Sequence, residues 1–359
     1  MRVLYFGTYE RDYPRNAQVI SCLRGAGVDV VERHVSVWER SEHNWSAGPT
    51  AALRVALAEA RLARPQRRSF DAVIVGYPGH FDMPRARRLA GRRRPLVFNP
   101  LVSLADTLVG DRGRWREGSI TARILAAVDR RALRLADLVV ADTDANGAFL
   151  AELGSIPRER VQTALVGAEE RYFRPAWRPP ERFSALFVGK LIPLHGLETI
   201  LAAAELAPEV DVRVVGSGQL DGLLEKRPPN VSWERWIDYE RLAEAYWEAG
   251  CALGIFGTSS KAARVIPNKA FQALACATPL VTADTPAARE LLADGESALL
   301  VPPGDPAALA AALHRLAADR ELLLRLSAGG RVAYERQASE EVLGERWRAL
   351  IEQARERKR

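Results

Sequence analysis

The stretch formed by residues 251–290 constrains the fold most, because apolar runs and a helical pattern alternate within it. Residues 252–256 are a short apolar run that predicts a buried strand, and a polar loop follows them. Residues 269–277 have the apolar periodicity of a helix with Asn268 as its predicted N-cap, and Leu280–Ala283 is the next apolar run. Two buried strands joined by one helix predict a βαβ unit of a parallel sheet.

Four polar or basic side chains fall at the N-terminal end of the predicted helix. They are Lys261, Arg264, Asn268 and Lys269. In an open parallel sheet, ligands bind beyond the carboxyl ends of the strands, where helix N-termini favour anions. The stretch therefore predicts an anion-binding site.

The same alternation of strand and helix patterns runs through the whole chain, in two halves. Strand patterns open each half, at residues 3–6 and 183–188, and Pro175, Pro179 and Pro180 interrupt regular structure between them. This organisation predicts an α/β protein with two doubly wound, Rossmann-like domains and a cleft between them. We expect domains at residues 1–172 and 183–338, a Pro-rich linker at 173–182 and a terminal helix at 339–359.

The composition is typical of a two-domain globular protein. The chain has 359 residues, of which 48% are hydrophobic and 27% are charged. Its three cysteines lack metal-ligand spacing, and no apolar run approaches the ~20 residues of a membrane-spanning helix. The start, MRVLYFGTYE, turns polar too soon for a signal peptide. We therefore expect a cytoplasmic protein that uses no metal and no other cofactor.

Basic residues outnumber acidic ones, and arginine dominates the first half of the chain. The net charge is +6, the isoelectric point is near 9.4, and no lysine precedes Lys190. One interpretation is that the arginines cover solvated helix faces; the other is a basic face that rests on anionic lipid or attracts an anionic acceptor. Nucleic acid is disfavoured, because the basic runs lack interleaved aromatic side chains. The densest runs contain Arg61, Arg64, Arg67, Arg68, Arg85, Arg87, Arg88, Arg92, Arg93 and Arg94.

Residues 267–281 carry a motif that resembles a known family. The segment reads Pro267-Asn268-Lys269-Ala270-Phe271-Gln272, followed by Ala275-Cys276-Ala277-Thr278-Pro279-Leu280-Val281. It is similar to the donor-binding half of family 4 glycosyltransferases, which have the GT-B fold of two facing Rossmann-like domains. The resemblance implies that the terminal helix at 339–359 crosses back to the first domain. Two glutamates are typical of that family here, and this chain has Arg264 and Gln272 at their positions.

Three other segments of the second half resemble the same family. Gly189 and Lys190 follow a strand as in the family's "Phe-Val-Gly-Arg-Leu" motif, and His195 stands where relatives have a lysine. The run Gly216-Ser217-Gly218 resembles "Val-Gly-x-Gly", and without a third glycine it does not indicate NAD binding. Glu290 stands where relatives carry a glutamate close to the nucleotide; the alternative is an exposed helix carboxylate.

The first half of the chain offers fewer candidates. Gly7 directly follows the first strand, where a glycine lets the backbone approach a ligand closely. The resemblance implies that loops of this domain hold acceptor and catalytic groups, and His80 and Asp106 are the candidates. A structural loop histidine and a turn-capping aspartate are the respective alternatives.

The resemblance implies a retaining glycosyltransferase, of the hexosyltransferase class, with a UDP- or GDP-linked sugar as donor. The acceptor would be a sugar, a lipid-linked molecule or a small molecule, with possible peripheral membrane contact through the Arg-rich domain. Two alternatives stay open: a non-catalytic nucleotide-sugar-binding protein of GT-B fold, and a UDP-sugar epimerase of the same architecture.

The family roles can be carried over residue by residue. The resemblance implies that Lys190 and Lys269 hold the donor diphosphate, helped by backbone N–H groups near Gly189 and Asn268. Gln272 retains a carbonyl that can accept a hydrogen bond from a ribose hydroxyl. Arg264, in contrast, reverses the charge beside the transferred sugar.

Overall fold

The computed structural model describes residues 1–37, 49–62 and 69–358, with side chains from residue 54 onward in the second range. The chain forms two compact units, Met1–Val166 together with the C-terminal helix, and Gly167–Ser339. Each unit has its own six-stranded sheet.

The first unit is built on an all-parallel sheet with the strand order β2-β1-β3-β4-β5-β6. Its central strands are buried along their whole length, as expected for strands covered by helices on both faces. The strands are β1 Arg2–Gly7, β2 Asp29–His34, β3 Ala72–Val75, β4 Leu96–Phe98, β5 Leu138–Ala141 and β6 Val161–Thr163. The helices are α1 Pro14–Gly25, α2 Pro49–Leu62, α3 Met83–Ala90, α4 Ile120–Leu135 and α5 Asp144–Gly154.

The second unit repeats this plan, with the parallel strand order β12-β11-β10-β7-β8-β9. The order reverses beside β7, which lies between β10 and β8. Ligands of open α/β sheets bind where the strand order reverses, so the loop after β7 is the expected place for a site. The strands are β7 Ser184–Val188, β8 Asp211–Val215, β9 Val231–Glu234, β10 Cys251–Leu253, β11 Leu280–Ala283 and β12 Leu299–Val301. The helices are α6 Leu197–Leu206, α7 Asp221–Leu224, α8 Leu242–Glu248, α9 Asn268–Ala275, α10 Pro306–Ala318 and α11 Arg320–Gln337.

The last helix, α12 Glu340–Glu356, belongs to the first unit and packs along α1. Gly344 permits the close approach, because a Cβ there would lie 2.5 Å from the Cys22 carbonyl oxygen. Trp347 is 1% exposed, and the guanidinium of Arg15 lies 5.5 Å from the centroid of its ring. The helix therefore completes the core of the unit that contains the chain's first strand.

The Pro-rich segment packs against the second unit. Phe173 is buried with its ring edge toward Tyr239 and Tyr246, at centroid distances of 5.6 Å and 6.1 Å. Trp177 is also buried, and its indole N–H donates to the Ala249 carbonyl at 2.7 Å. The second unit begins at Gly167 and therefore includes this segment, in which Phe173 and Trp177 are buried.

Two helices have unusual compositions. Helix α3 is rich in arginine, and its buried face consists of Met83, Ala86 and Ala90, which are spaced as one helical stripe. Helix α11 spans Arg320–Gln337 and includes Gly329 and Gly330 in its interior. A Cβ at Gly329 would overlap the Glu296 carbonyl, so the glycines serve close packing and do not end the helix.

The arginine-rich runs have several structural roles. Arg85 pairs with Glu59 at 2.6 Å and Arg87 with Asp137 at 2.7 Å, which is consistent with partly buried structural ion pairs. Arg64, Arg67 and Arg68 lie outside the described residues. Among the helices described, none is long and apolar enough to cross a membrane.

Candidate functional site

Two glycine loops lie against each other at the carboxyl ends of β7 and β8. The Leu191 N–H donates to the Ser217 carbonyl at 3.1 Å, and the Gly189 N–H donates to the Val215 carbonyl at 2.9 Å. Gly216 has φ +135°, and a Cβ there would overlap the Gly189 carbonyl oxygen. An L-residue with a side chain is therefore excluded at Gly216 by both backbone strain and space.

Helix α9 places Lys269 beside the first of these loops. Lys269 is 5% exposed, and its Nζ lies 3.6 Å from the centroid of the Phe187 ring. A Cβ at Gly189 would lie 2.9 Å from this Nζ. The amine has no hydrogen-bond partner among the described residues, and burial lowers the pKa of Lys269 well below its usual range.

His195 and Lys190 complete the set of basic groups around Gly189. The His195 Nδ1–H donates to the Lys190 carbonyl at 2.5 Å, and its ring stands edge-on to Phe187 with centroids 5.7 Å apart. A Cβ at Gly189 would lie 3.4 Å from His195 Cε1, so this imidazole and Lys269 face the same glycine. Lys190 itself is exposed. The structure thus brings four predicted site residues together at the end of β7.

Gln272 lies one turn further along α9, in a cluster of tyrosines. Its carbonyl oxygen accepts from the Tyr246 hydroxyl at 3.1 Å, and its amide N–H donates to the Tyr239 hydroxyl at 3.4 Å. The residue is 6% exposed. The carbonyl predicted to bind ribose therefore already holds one hydrogen bond, and one acceptor lone pair remains.

Arg264 and Glu290 end two short 3-10 turns, Ala262–Arg264 and Ala288–Glu290, and both residues are half-buried. The Ala287 N–H donates to the Ala263 carbonyl at 3.3 Å, which joins the two segments. The predicted helix around Glu290 is wrong. The chain there makes only a 3-10 turn, which Thr285 caps by accepting from the Ala288 N–H at 3.0 Å.

The prediction that Asn268 caps α9 is also wrong. Asn268 is the first residue of the helix, and Pro267 occupies the cap position with extended backbone angles and no side-chain hydrogen bond. The Pro267 carbonyl accepts from the Ala270 N–H at 2.9 Å. Because no side chain caps this end, backbone N–H groups at the start of α9 have no intrahelical partner.

In the first unit, His80 is a buried member of a polar cluster. Its Nδ1 lies 3.0 Å from the Pro78 carbonyl oxygen and its Nε2 lies 3.3 Å from Asp129 Oδ1. Asp129 is 1% exposed and also accepts from Ser103 Oγ and from two backbone N–H groups, of Leu104 and Ala105. Both nitrogens of His80 are engaged within the protein, which favours the structural alternative for this histidine.

Asp106 and Gly7 are placed differently from His80. Asp106 is half-buried at the start of a π-helical turn, Asp106–Asp111, and its N–H donates to Ser103 Oγ at 3.0 Å. At Gly7, the space that a side chain would fill holds the carboxyl group of Asp82, which accepts from the Thr8 N–H at 2.8 Å. Burial, together with the neighbouring Glu59 carboxyl group, raises the pKa of Asp82 well above its usual range.

Two buried carboxyl groups, Asp82 and Asp129, are absent from the sequence-based site. A signal for Asp129 exists in the sequence, because it lies on the same face of α4 as the buried Ala132 and Leu133. No comparable pattern marks Asp82. Among the described residues, no group of three or more His, Cys, Asp or Glu side chains could hold a metal ion.

Comparison with protein families finds one match. A family model described as glycosyl transferases group 1 matches residues 182–319, the part of the chain that contains Gly189, His195 and Lys269.

Curated proteins similar to this chain share one name. The D-inositol 3-phosphate glycosyltransferase of Geodermatophilus obscurus is 30% identical, over 86% of this chain and 76% of that protein. The D-inositol 3-phosphate glycosyltransferase 2 of Catenulispora acidiphila is 31% identical, over 55% of this chain and 53% of that protein. The matched region thus spans about half the length of the second relative.

Solved structures with a similar fold cover nearly the whole chain. Sucrose-phosphate synthase from Thermosynechococcus elongatus superposes with a TM-score of 0.76 at 18% identity, covering 98% of each chain. The Anabaena protein HepE in complex with UDP-glucose has a TM-score of 0.70 at 15% identity, covering 98% of this chain and 100% of that one. These likenesses show the fold, which is the GT-B class that the sequence predicts.

Proposed function

Because the chain belongs to the glycosyl transferases of group 1, we propose that it transfers a hexose from a nucleoside-diphosphate donor with retention of configuration. The observation that carries the proposal is the buried amine of Lys269, a residue in the first turn of α9. This amine faces Gly189 and lacks a hydrogen-bond partner in the described part of the chain. A cationic or proton-accepting group left unpaired inside a protein is costly, so such a group is typical of a ligand site.

A diphosphate fits this place better than the other common ligands of Rossmann-like units. The N–H groups at the start of α9 and the basic residues Lys190, His195 and Lys269 all favour negative charge. UDP is the first nucleoside diphosphate to test as the carrier of the donor sugar, because HepE, of similar fold, is described in complex with UDP-glucose. The name of the curated relatives makes a phosphorylated cyclitol the first small-molecule acceptor to test.

In the proposed reaction, the bond between the anomeric carbon and the diphosphate oxygen breaks while an acceptor oxygen bonds to that carbon. The proton of the acceptor hydroxyl passes to an oxygen of the nucleoside diphosphate, which departs with the bonding electron pair. Basic groups beside the diphosphate stabilise the charge that develops on the departing oxygen. Lys190 and Lys269 supply this stabilisation in our proposal, and Arg264 contributes further positive charge on the sugar side.

The test is calorimetric titration of the protein with UDP-glucose, GDP-mannose and ADP-glucose, followed by an assay for released nucleoside diphosphate. We expect one donor to bind, and we expect Lys190→Ala to weaken its binding at least tenfold. Lys226→Ala is the matched control, because Lys226 is an exposed lysine elsewhere in the same unit. Equal donor binding by wild type and Lys190→Ala contradicts the proposed diphosphate site.

A non-catalytic nucleotide-sugar-binding protein is the second candidate. It is favoured by Arg264 and Gln272, which stand where the family has glutamates. Donor binding without any release of nucleoside diphosphate, with or without acceptors, is the result that supports this candidate. Release that depends on an added acceptor refutes it.

We also propose that the first unit contacts anionic membrane surfaces through α4. Ile120 and Ile124 lie one turn apart on this helix and are 78% and 57% exposed. The arginines around them form no ion pair with a described residue, and an apolar stripe flanked by guanidinium groups is typical of helices that lie in a membrane interface. These arginines are Arg116, Arg123, Arg130 and Arg131.

Vesicle flotation tests this contact. We expect binding to vesicles that contain phosphatidylglycerol, no binding to pure phosphatidylcholine, and loss of binding in Ile120→Ser/Ile124→Ser. The control is Leu324→Ser, which removes an apolar side chain that is 49% exposed in the second unit. Flotation that the α4 double variant leaves unchanged contradicts the proposal.

A further inference from the structure

The described residues around the Lys269 amine supply no ion-pair partner for it. The described residues place the Phe187 ring on one side of Nζ and the Gly189 backbone on another, and no described carboxylate lies within ion-pair distance. The titratable group that faces it from the turn after β7 is His195, a base. Glu290, in the following segment, does not pair with Lys269.

An isolated ammonium group in such surroundings is unstable. Burying one unpaired charge costs more than a cation–π contact with one phenylalanine ring can offset, so a buried lysine usually releases its proton instead. Burial accordingly lowers the pKa of Lys269 well below its usual range.

We infer that Lys269 is a neutral amine in the empty protein and takes up one proton from solvent when the donor diphosphate binds. The inference rests on the proposed function, since the diphosphate is the ligand that supplies the missing negative charge. Phosphate oxygens beside Nζ accept hydrogen bonds from an ammonium group and stabilise it. The proton returns to solvent when the nucleoside diphosphate leaves.

Proton uptake makes donor binding depend on pH in a defined direction. The complex holds one proton more than the separate components, so raising the pH weakens binding. The donor dissociation constant rises about tenfold per pH unit between the pKa of Lys269 in the empty protein and its higher pKa in the complex. An ordinary exposed lysine, charged in both states at neutral pH, gives no such dependence.

The first experiment titrates the protein with UDP-glucose at pH 8 in buffers of different ionisation enthalpy. The slope of the observed enthalpy against buffer ionisation enthalpy counts the protons taken up. We expect about one for the wild type and about one for His195→Asn. We expect close to zero for Lys269→Arg, because arginine stays protonated with and without ligand. Binding with zero slope in the wild type overturns the inference and leaves the proposed donor site intact.

The second experiment does not depend on the donor. The chain has five lysines, Lys190, Lys226, Lys261, Lys269 and Lys358. Carbon-13 labelling of lysine therefore gives few Cε resonances, and Lys269→Arg identifies the one of interest. We expect it to titrate well below ~10.4, the usual lysine pKa, in the empty protein. Titration of this resonance near the usual value overturns the inference even if no nucleotide sugar binds, a result that separately contradicts the proposed function.

Discussion

Replacing Lys269 with methionine should make the empty protein more stable while it abolishes donor binding. Methionine has nearly the same length and volume, so the space against Phe187 and Gly189 stays filled. The substitution removes a buried polar group without a hydrogen-bond partner among the described residues. Residues that are poorly accommodated in the empty protein are expected at binding sites, where function opposes stability.

The increase in the free energy of unfolding can be estimated from the burial of the amine. A buried polar group without a compensating hydrogen bond costs about 1–3 kcal/mol in protein mutational data. Near the usual lysine pKa of ~10.4, where the amine is largely neutral in both states, the free energy of unfolding should therefore rise by about 1–3 kcal/mol in Lys269→Met. For a unit of this size, that corresponds to a melting temperature higher by roughly 2–12 °C.

The gain should also depend on pH. Between the lowered pKa of Lys269 in the folded protein and the usual lysine pKa of the unfolded chain, the unfolded state binds more protons. The wild-type free energy of unfolding therefore rises with pH across that interval. The advantage of Lys269→Met is then largest at the low-pH end of that interval and decreases as the pH approaches ~10.4.

Differential scanning calorimetry at pH 7 and pH 9.5, with and without UDP-glucose, measures both effects. Lys226→Met serves as the control and should change the melting temperature little, because Lys226 is exposed. A Lys269→Met variant less stable than the wild type, beside an unchanged control, would refute the reasoning. It would show that the amine makes net favourable interactions in the empty protein.

Three other substitutions test the packing around the two candidate regions. Gly216→Ala should lower the free energy of unfolding by at least about 2 kcal/mol in urea titration, because the positive φ of Gly216 and the adjacent backbone exclude a Cβ. The control Gly222→Ala has open space around its Cβ and should not have this effect. Asp129→Ala leaves His80 and several donors unpaired and should cost about 3–5 kcal/mol by the same measurement. Gly344→Val should displace α12 from α1, seen as faster hydrogen exchange in both helices.

Much of the fold follows from local patterns that need no tertiary information. Helix α6 occupies Leu197–Leu206, where the sequence places an apolar helical pattern after a strand and a glycine turn. Strands β5 and β11 likewise coincide with short apolar runs that are buried on both faces. Helix α3 is harder to predict from its sequence, because several arginines surround a buried face of only three residues.

The residue types at the carboxyl ends of the strands can be identified without a structure, and they predict the GT-B fold and an anion-binding site near Lys269. The surroundings of that lysine form only when the chain folds. The lack of a described carboxylate within ion-pair distance of Nζ and the contacts with Phe187 and Gly189 depend on residues far apart in the chain. The charge of a buried group is set by all atoms that surround it, and a one-dimensional pattern records only its neighbours along the chain.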